Sequence, residues 1–210
     1  MLSRIRYSLG RVFTDPIVRF IAKAGLTPNS LTIIGFLLNA VAAWVLATGH
    51  LFLAGFLVLF SGWFDLLDGA LARAQGKTTR FGALLDSTLD RYSEAILLLG
   101  LMIFYVKQNT PPEILLIYAA MVGSVMVSYI RTRTEGLGMK CEAGLFTRPE
   151  RVILLALGLI LSSIWANAIL IVLWILAVGT NLTASQRLLN GWQQTKKHRN
   201  GDGNHSEPDK

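Results

Sequence analysis

Six stretches of the chain are almost wholly apolar: residues 29–48, 51–72, 83–106, 112–130, 151–165 and 168–186. At about 1.5 Å rise per residue, most of them are long enough to cross a hydrocarbon core of about 30 Å. The pattern predicts an all-α integral membrane protein with six transmembrane helices. The fifth stretch is the shortest and is expected to extend through its polar flank or to tilt. Short connections predict antiparallel neighbours, among them the second and third helices. Asn29 or Ser30 is expected to cap the first membrane helix.

The segments on either side read differently. Leu2, Ile5, Leu9, Val12 and Phe13 recur at helical spacing with Arg4, Arg6 and Arg11 between them, and after Pro16 the run resumes at Ile17, Phe20 and Ile21. Residues 1–27 are therefore predicted to form an amphipathic helix lying in the interface, with its arginines at anionic headgroups. A helix packed on the cytoplasmic face is the alternative. A cleavable signal peptide is not expected, because the segment is basic and interrupted by Pro16. Residues 28–190 hold the six helices, and residues 191–210, polar and rich in Gly, Asn and Lys, are predicted to be a disordered tail.

Composition agrees with this layout. The chain has 210 residues, 52% hydrophobic and only 16% charged, with mean hydropathy +0.48. That suits one polytopic domain rather than a soluble one. The net charge of +7 raises the question of nucleic acid, but the charges have another explanation. With both termini in the cytoplasm, every Lys and Arg except Lys107 falls in or beside a cytoplasmic segment, as the positive-inside rule requires. The single cysteine, Cys141, permits no internal disulfide, and His50, His198 and His205 have no metal-ligand spacing.

One stretch breaks the apolar pattern. Residues 65–90, DLLDGALARAQGKTTRFGALLDSTLD, carry Asp65, Asp68, Asp86 and Asp90. Asp65 and Asp68 are three apart and Asp86 and Asp90 four apart, so each pair shares a helix face. An ionised Asp near the bilayer centre costs at least ~2.5 kcal/mol on insertion scales, and carboxylates facing one another repel. Either protonation or cations must offset this. Protonation would suit a proton or cation transporter, although no inverted repeat or broken helix is visible. Cations would be Mg²⁺ or Mn²⁺, since four hard oxygen donors suit two such ions about 3.5–4 Å apart. Gly69 and Gly82, with small residues around them, favour cations, because they let a ligand or a facing backbone approach. Two metals in such a cleft suggest chemistry on phosphate, with a rim carboxylate accepting a proton. Aspartates paired only structurally with Arg73 and Arg91 would be an expensive arrangement without function.

The spacing Asp65-x2-Asp68-Gly69-x2-Ala72-Arg73-x8-Gly82-x3-Asp86-x3-Asp90 resembles the signature of the CDP-alcohol phosphotransferase family. The resemblance implies a six-helix membrane fold, a homodimer and a metal-dependent enzyme that moves a substituted phosphate from a CDP-linked donor to an alcohol, releasing CMP. It further implies that Asp65, Asp68, Asp86 and Asp90 hold two divalent ions, Mg²⁺ or Mn²⁺, and that Asp90 is also the general base. Gly69, Arg73 and Thr79 resemble the positions that hold the CDP group, as does the stretch Pro28, Asn29, Ser30 and Leu31. The implied donor is CDP-diacylglycerol or an ether-lipid analogue, bound at a site facing the cytoplasm.

Two further stretches, SYIRTRTEGLG from Ser128 and FTRPERVILL from Phe146, are similar to elements of prokaryotic phosphatidylinositol phosphate synthases. That likeness implies inositol 3-phosphate as acceptor and Ser128, Arg131, Arg133 and Arg187 as ligands of its phosphate, guanidinium forks being suited to that role. Arg148 and Arg151 are expected only to anchor the helix end to the membrane surface. A phosphatidylglycerophosphate synthase acting on glycerol 3-phosphate is the alternative within the class.

Overall fold

The structure, a computed structural model, describes residues 26–202 apart from 75, 77–78, 142–143 and 145. The expected interfacial segment lies almost entirely outside these residues. The described chain is all-α, with no strand: α1 Pro28–Ala47, α2 Leu51–Ala74, α3 Arg80–Gln108, α4 Pro111–Gly136, α5 Arg148–Leu161 and α6 Ala168–Asp202. Four of these, α1, α2, α4 and α6, are long and apolar enough to cross a membrane by length and composition. The other two fall short for reasons tied to the site. The opening turns of α3 carry Asp86, Asp90, Arg91 and Glu94, and α5 has 14 residues, about 21 Å of helix.

Local sequence accounts for the helix ends. Thr27, rather than Asn29 or Ser30, caps α1: its hydroxyl accepts from the Ser30 N–H at 3.2 Å, and Pro28 supplies a first-turn residue that has no N–H to satisfy. Thr79 caps α3 by accepting from Gly82 N–H at 2.9 Å. Asn109 closes α3 in the left-handed conformation, φ 56°. α6 does not stop at the start of the expected disordered tail but continues as helix to Asp202. Part of the reason is Gln194, whose side chain accepts from Lys140 N–H at 3.2 Å and donates to Lys140 C=O at 2.7 Å.

The helices close into a ring in the order α1, α3, α4, α6, α5, α2, each packing on the next and α2 returning to α1. This order corrects the expectation that the helices carrying the aspartates are direct neighbours. α1 packs against both α2 and α3, which do not form a main packing pair themselves. The antiparallel arrangement also sorts the interior by chemistry. One end is apolar, built from Leu46 of α1, Val58 of α2, Leu101 of α3, Ile117 of α4, Leu159 of α5 and Leu173 of α6. The buried polar groups lie in the middle and at the opposite end: Thr32 and Asn39, Ser61 and Asp68, Ser93, Ser124 and Thr134, Arg151, and Thr180, Thr183 and Arg187.

At the apolar end α1 and α3 approach closely at Gly100, where a Cβ would lie 2.9 Å from Ala43 Cα. A neighbouring backbone cannot turn aside as a side chain can. Gly100→Leu is therefore expected to destabilise by at least the ~1–3 kcal/mol typical of overpacking, read as a lowered thermal midpoint in detergent. Gly62→Ala, where nothing lies within 4 Å of the added atom, should leave the midpoint unchanged or slightly raised.

Candidate active site

The polar end is organised around two helix termini, the last turns of α2 and the first turns of α3, with the start of α1 wedged between them. Ser61, one turn before Asp65, donates to Gly35 C=O at 2.8 Å, and Asn39 donates to Ser61 Oγ at 2.6 Å. These buried bonds fix α1 against α2. Gly35 then faces Asp65 so closely that a Cβ would lie 2.9 Å from Asp65 Oδ1. One turn nearer the start of α1, the Thr32 hydroxyl donates to Asp68 Oδ2 at 2.8 Å. Asp68 is only 5% exposed, so that bond answers much of the cost of burying a carboxylate oxygen.

Arg148, the first residue of α5, reaches into the same place. Its Nη2 donates to Asp65 Oδ2 at 2.7 Å, and its Nη1 lies 2.9 Å from Asp90 Oδ1. One guanidinium thus bridges a carboxylate of α2 and a carboxylate of α3. The four aspartates fit divalent cations by donor chemistry, being hard and anionic, and the cationic group between Asp65 and Asp90 marks where positive charge is needed. No three carboxylate, imidazole or thiolate groups close around one point among the described residues.

Two cavities flank the aspartates. The smaller, about 170 Å³, is lined by Pro28, Asn29 and Thr32 of α1, by Asp68, Gly69 and Arg73 of α2, and by Thr79, Gly82 and Asp86 at the start of α3. Arg73 folds back over Gly69, where an added Cβ would lie 3.3 Å from Arg73 Nη1. The larger, about 420 Å³, is lined by Asp86, Asp90 and Glu94 of α3, Ser128, Arg131 and Thr132 of α4, Thr147, Arg148 and Arg151 at the start of α5, and Arg187 of α6. Asp86 belongs to both. Arg187 lies deep in the bundle and donates to Val127 C=O at 2.7 Å. Arg131 is exposed and paired with Glu135 at 2.9 Å.

The residues singled out from sequence divide accordingly. Five of the seven expected donor contacts, Pro28, Asn29, Gly69, Arg73 and Thr79, line the smaller cavity. Ser30 instead meets Thr27 in the cap. Leu31 is 1% exposed and packs on Leu67 and Leu71. Ser128, Arg131 and Arg187 line the larger cavity. Arg133 does not, because two residues along a helix turn it about 200° from Arg131 and onto an exposed face. Arg148 and Arg151 are not surface anchors: Arg148 bridges Asp65 and Asp90, and Arg151 is buried against Glu94. Thr32 and Glu94 were not anticipated. Each has a local signal, since Thr32 falls one turn after Pro28 and Glu94 one turn after Asp90.

Comparison with known proteins agrees with this geometry. The family description CDP-alcohol phosphatidyltransferase matches residues 25–180. The chain is 37% identical over 179 residues to the phosphatidylinositol phosphate synthase of Mycobacteroides abscessus, covering 83% of this chain and 81% of that one. It is similar to the crystal structure of Mycobacterium tuberculosis phosphatidylinositol phosphate synthase with CDP-DAG bound, at TM-score 0.80 and 36% identity over 85% of this chain and 93% of that one. A second structure of that mycobacterial enzyme, in complex with manganese and citrate, matches at TM-score 0.80 and 36% identity, covering 85% and 88%.

The Thr32 hydroxyl orients Asp68 without belonging to the carboxylate set. Losing a partner of this kind typically weakens metal binding by about 10–100-fold. Thr32→Val is expected to lower Mn²⁺ affinity on that scale, measured by titration of the purified protein. Thr32→Ser, which keeps the hydroxyl, should remain close to the unaltered protein.

Proposed function

The chain belongs to the CDP-alcohol phosphatidyltransferase family, and from that premise we propose that it transfers the phosphatidyl group of CDP-diacylglycerol to a hydroxyl of an inositol phosphate, releasing CMP, in phospholipid biosynthesis. One observation carries this reading: the aspartates stand between a glycine-and-arginine cavity and an arginine-rich one, and Asp86 lines both. A nucleotide diphosphate in the first and a phosphorylated alcohol in the second would meet at the carboxylates.

Gly69 allows close approach of the CDP group, Arg73 offers a fork to its diphosphate, and Pro28, Asn29 and Thr79 complete that wall. The acceptor phosphate is held by Ser128, Arg131 and Arg187, joined by Arg148 and Arg151. Asp90, on the wall of the acceptor cavity, takes the proton of the attacking hydroxyl. The new bond joins that oxygen to the lipid-bearing phosphorus, the bond from this phosphorus to the CMP phosphate breaks, and CMP leaves with the bonding pair. Asp65, Asp68, Asp86 and Asp90 would hold two divalent cations, Mg²⁺ or Mn²⁺, which supply charge neutralisation for the diphosphate and its leaving group. Arg148, which bridges Asp65 and Asp90, would have to give way to cations held by these carboxylates.

The same reading has all six helices crossing the membrane, both termini and the site on the cytoplasmic side, residues 1–27 in the interface and the enzyme a homodimer. It is supported by the concentration of Lys and Arg at the polar end and by the polar sorting of the bundle interior.

Purified protein supplied with CDP-diacylglycerol and Mg²⁺ is expected to release CMP with inositol 3-phosphate and not with free inositol. Release with glycerol 3-phosphate alone would instead identify a phosphatidylglycerophosphate synthase, and ion flux without any lipid nucleotide a transporter. Asp90→Asn should lower turnover by ~10² or more, the scale of a lost general base, while CDP-diacylglycerol still binds. Arg131 is exposed enough to be removed without harm to the fold, and a charge-assisted hydrogen bond contributes ~1.5–3 kcal/mol. Arg131→Ala should therefore raise the Michaelis constant for the acceptor roughly tenfold to a hundredfold and leave that for CDP-diacylglycerol in place.

A further inference from the structure

Within the acceptor cavity one arginine is held unlike the others. Arg151 is 3% exposed. Its Nε donates to Glu94 Oε1 and its Nη2 to Glu94 Oε2, both at 2.6 Å, while its Nη1 donates to Phe146 C=O at 2.9 Å. All three guanidinium nitrogens are engaged, so bonds on three sides set the plane of the group. Three of its five N–H groups are used, leaving one on each Nη. Arg131, by contrast, has a single exposed pairing with Glu135. Glu94 itself lies one helical turn beyond Asp90, and both it and Arg151 line the larger cavity.

We infer that Glu94 is a positioning residue for the acceptor: it fixes the Arg151 guanidinium at the cavity wall so that its remaining N–H groups meet the acceptor's phosphate. This rests on the proposed use of a phosphorylated alcohol. A buried ion pair is an inefficient source of stability, since well-packed apolar residues often replace one without loss. Here the pair stands at a cavity wall, where a preset fork has a use: a guanidinium held before the substrate arrives loses little freedom on binding it. The carboxylate also supplies the counter-charge that lets a fifth guanidinium stand beside Arg91, Arg131, Arg148 and Arg187 in one cavity.

The test uses the full-length protein with CDP-diacylglycerol, Mg²⁺ and inositol 3-phosphate. Glu94→Gln preserves size but replaces one accepting oxygen with a donor that faces Arg151. It is expected to raise the Michaelis constant for the acceptor at least tenfold, with that for CDP-diacylglycerol and the turnover at saturating acceptor within about twofold of the unaltered enzyme. Glu94→Asp, which keeps the charge on a shorter arm, should fall between. A purely structural pair would give a lowered thermal midpoint with an unchanged acceptor constant, and that result overturns the inference. If Glu94→Gln does not fold, the exchanged pair Glu94→Arg with Arg151→Glu decides. It is expected to recover thermal stability while the acceptor constant stays raised, because the cation has moved to the other helix; recovery of both overturns the inference. Unaltered enzyme that uses no phosphorylated alcohol removes the underlying reading, and this inference with it.

Discussion

Four carboxylates inside an apolar helix bundle must be offset by protons, hydrogen bonds or positive charge, and the polar end of this protein is arranged around that requirement. Asp65 and Asp90 share the guanidinium of Arg148, and Asp68 is buried against a hydroxyl. Neither arrangement is possible unless α1 and α5 begin where they do. α5 starts with Arg148 and carries Arg151 one turn on, so its first turn is given over to charge and its span is short. α3 likewise spends its first four turns on the site before it becomes apolar. Both helices that fall short of membrane-spanning length or composition bring charge to the junction, where they meet the aspartates of α2.

α1 is the second organising element. It separates α2 from α3 and supplies contacts to both carboxylates of α2, through Thr32 to Asp68 and through the close backbone approach at Gly35 to Asp65. The same helix start contributes Pro28 and Asn29 to the smaller cavity. The wall of the smaller cavity and the support of the carboxylates thereby belong to one helix, and a shift of α1 would disturb both together. On the other side, Arg187 of α6 and Ser128 of α4 meet the start of α5 around the larger cavity. Asp86 is the point at which the two cavities meet.

Much of this was legible in the sequence, for a physical reason: lipid makes polar residues costly, so those that remain stand out. The aspartates stand out on that ground, Gly69 and Arg73 through the family resemblance, and apolar length locates the helices, though not the end of α6, which runs on to Asp202. What could not be read was which face of a cytoplasmic helix end turns inward. Arg131 and Arg133 look alike in sequence, yet only the first lines the cavity. Arg148 and Arg151 look like surface anchors because positive charge at that end of the bundle already has a sufficient explanation. Their half-buried partners, Asp65, Asp90 and Glu94, lie on other helices and are set by the ring order. That order also escaped prediction, since short connections suggested that α2 packs on α3. Thr32 and Glu94 were missed because a lone hydroxyl or carboxylate near a helix end usually has a local role.

The central claim is that the carboxylates of α2 and α3 form one cation site and that Arg148 occupies part of it. Crystals grown with Mn²⁺ and CDP-diacylglycerol test this most directly, through anomalous scattering at the manganese edge. The account predicts manganese peaks bounded by Asp65, Asp68, Asp86 and Asp90, with the Arg148 guanidinium withdrawn from between Asp65 and Asp90. Manganese bound elsewhere, or bound among the aspartates while Arg148 still bridges Asp65 and Asp90, would contradict it.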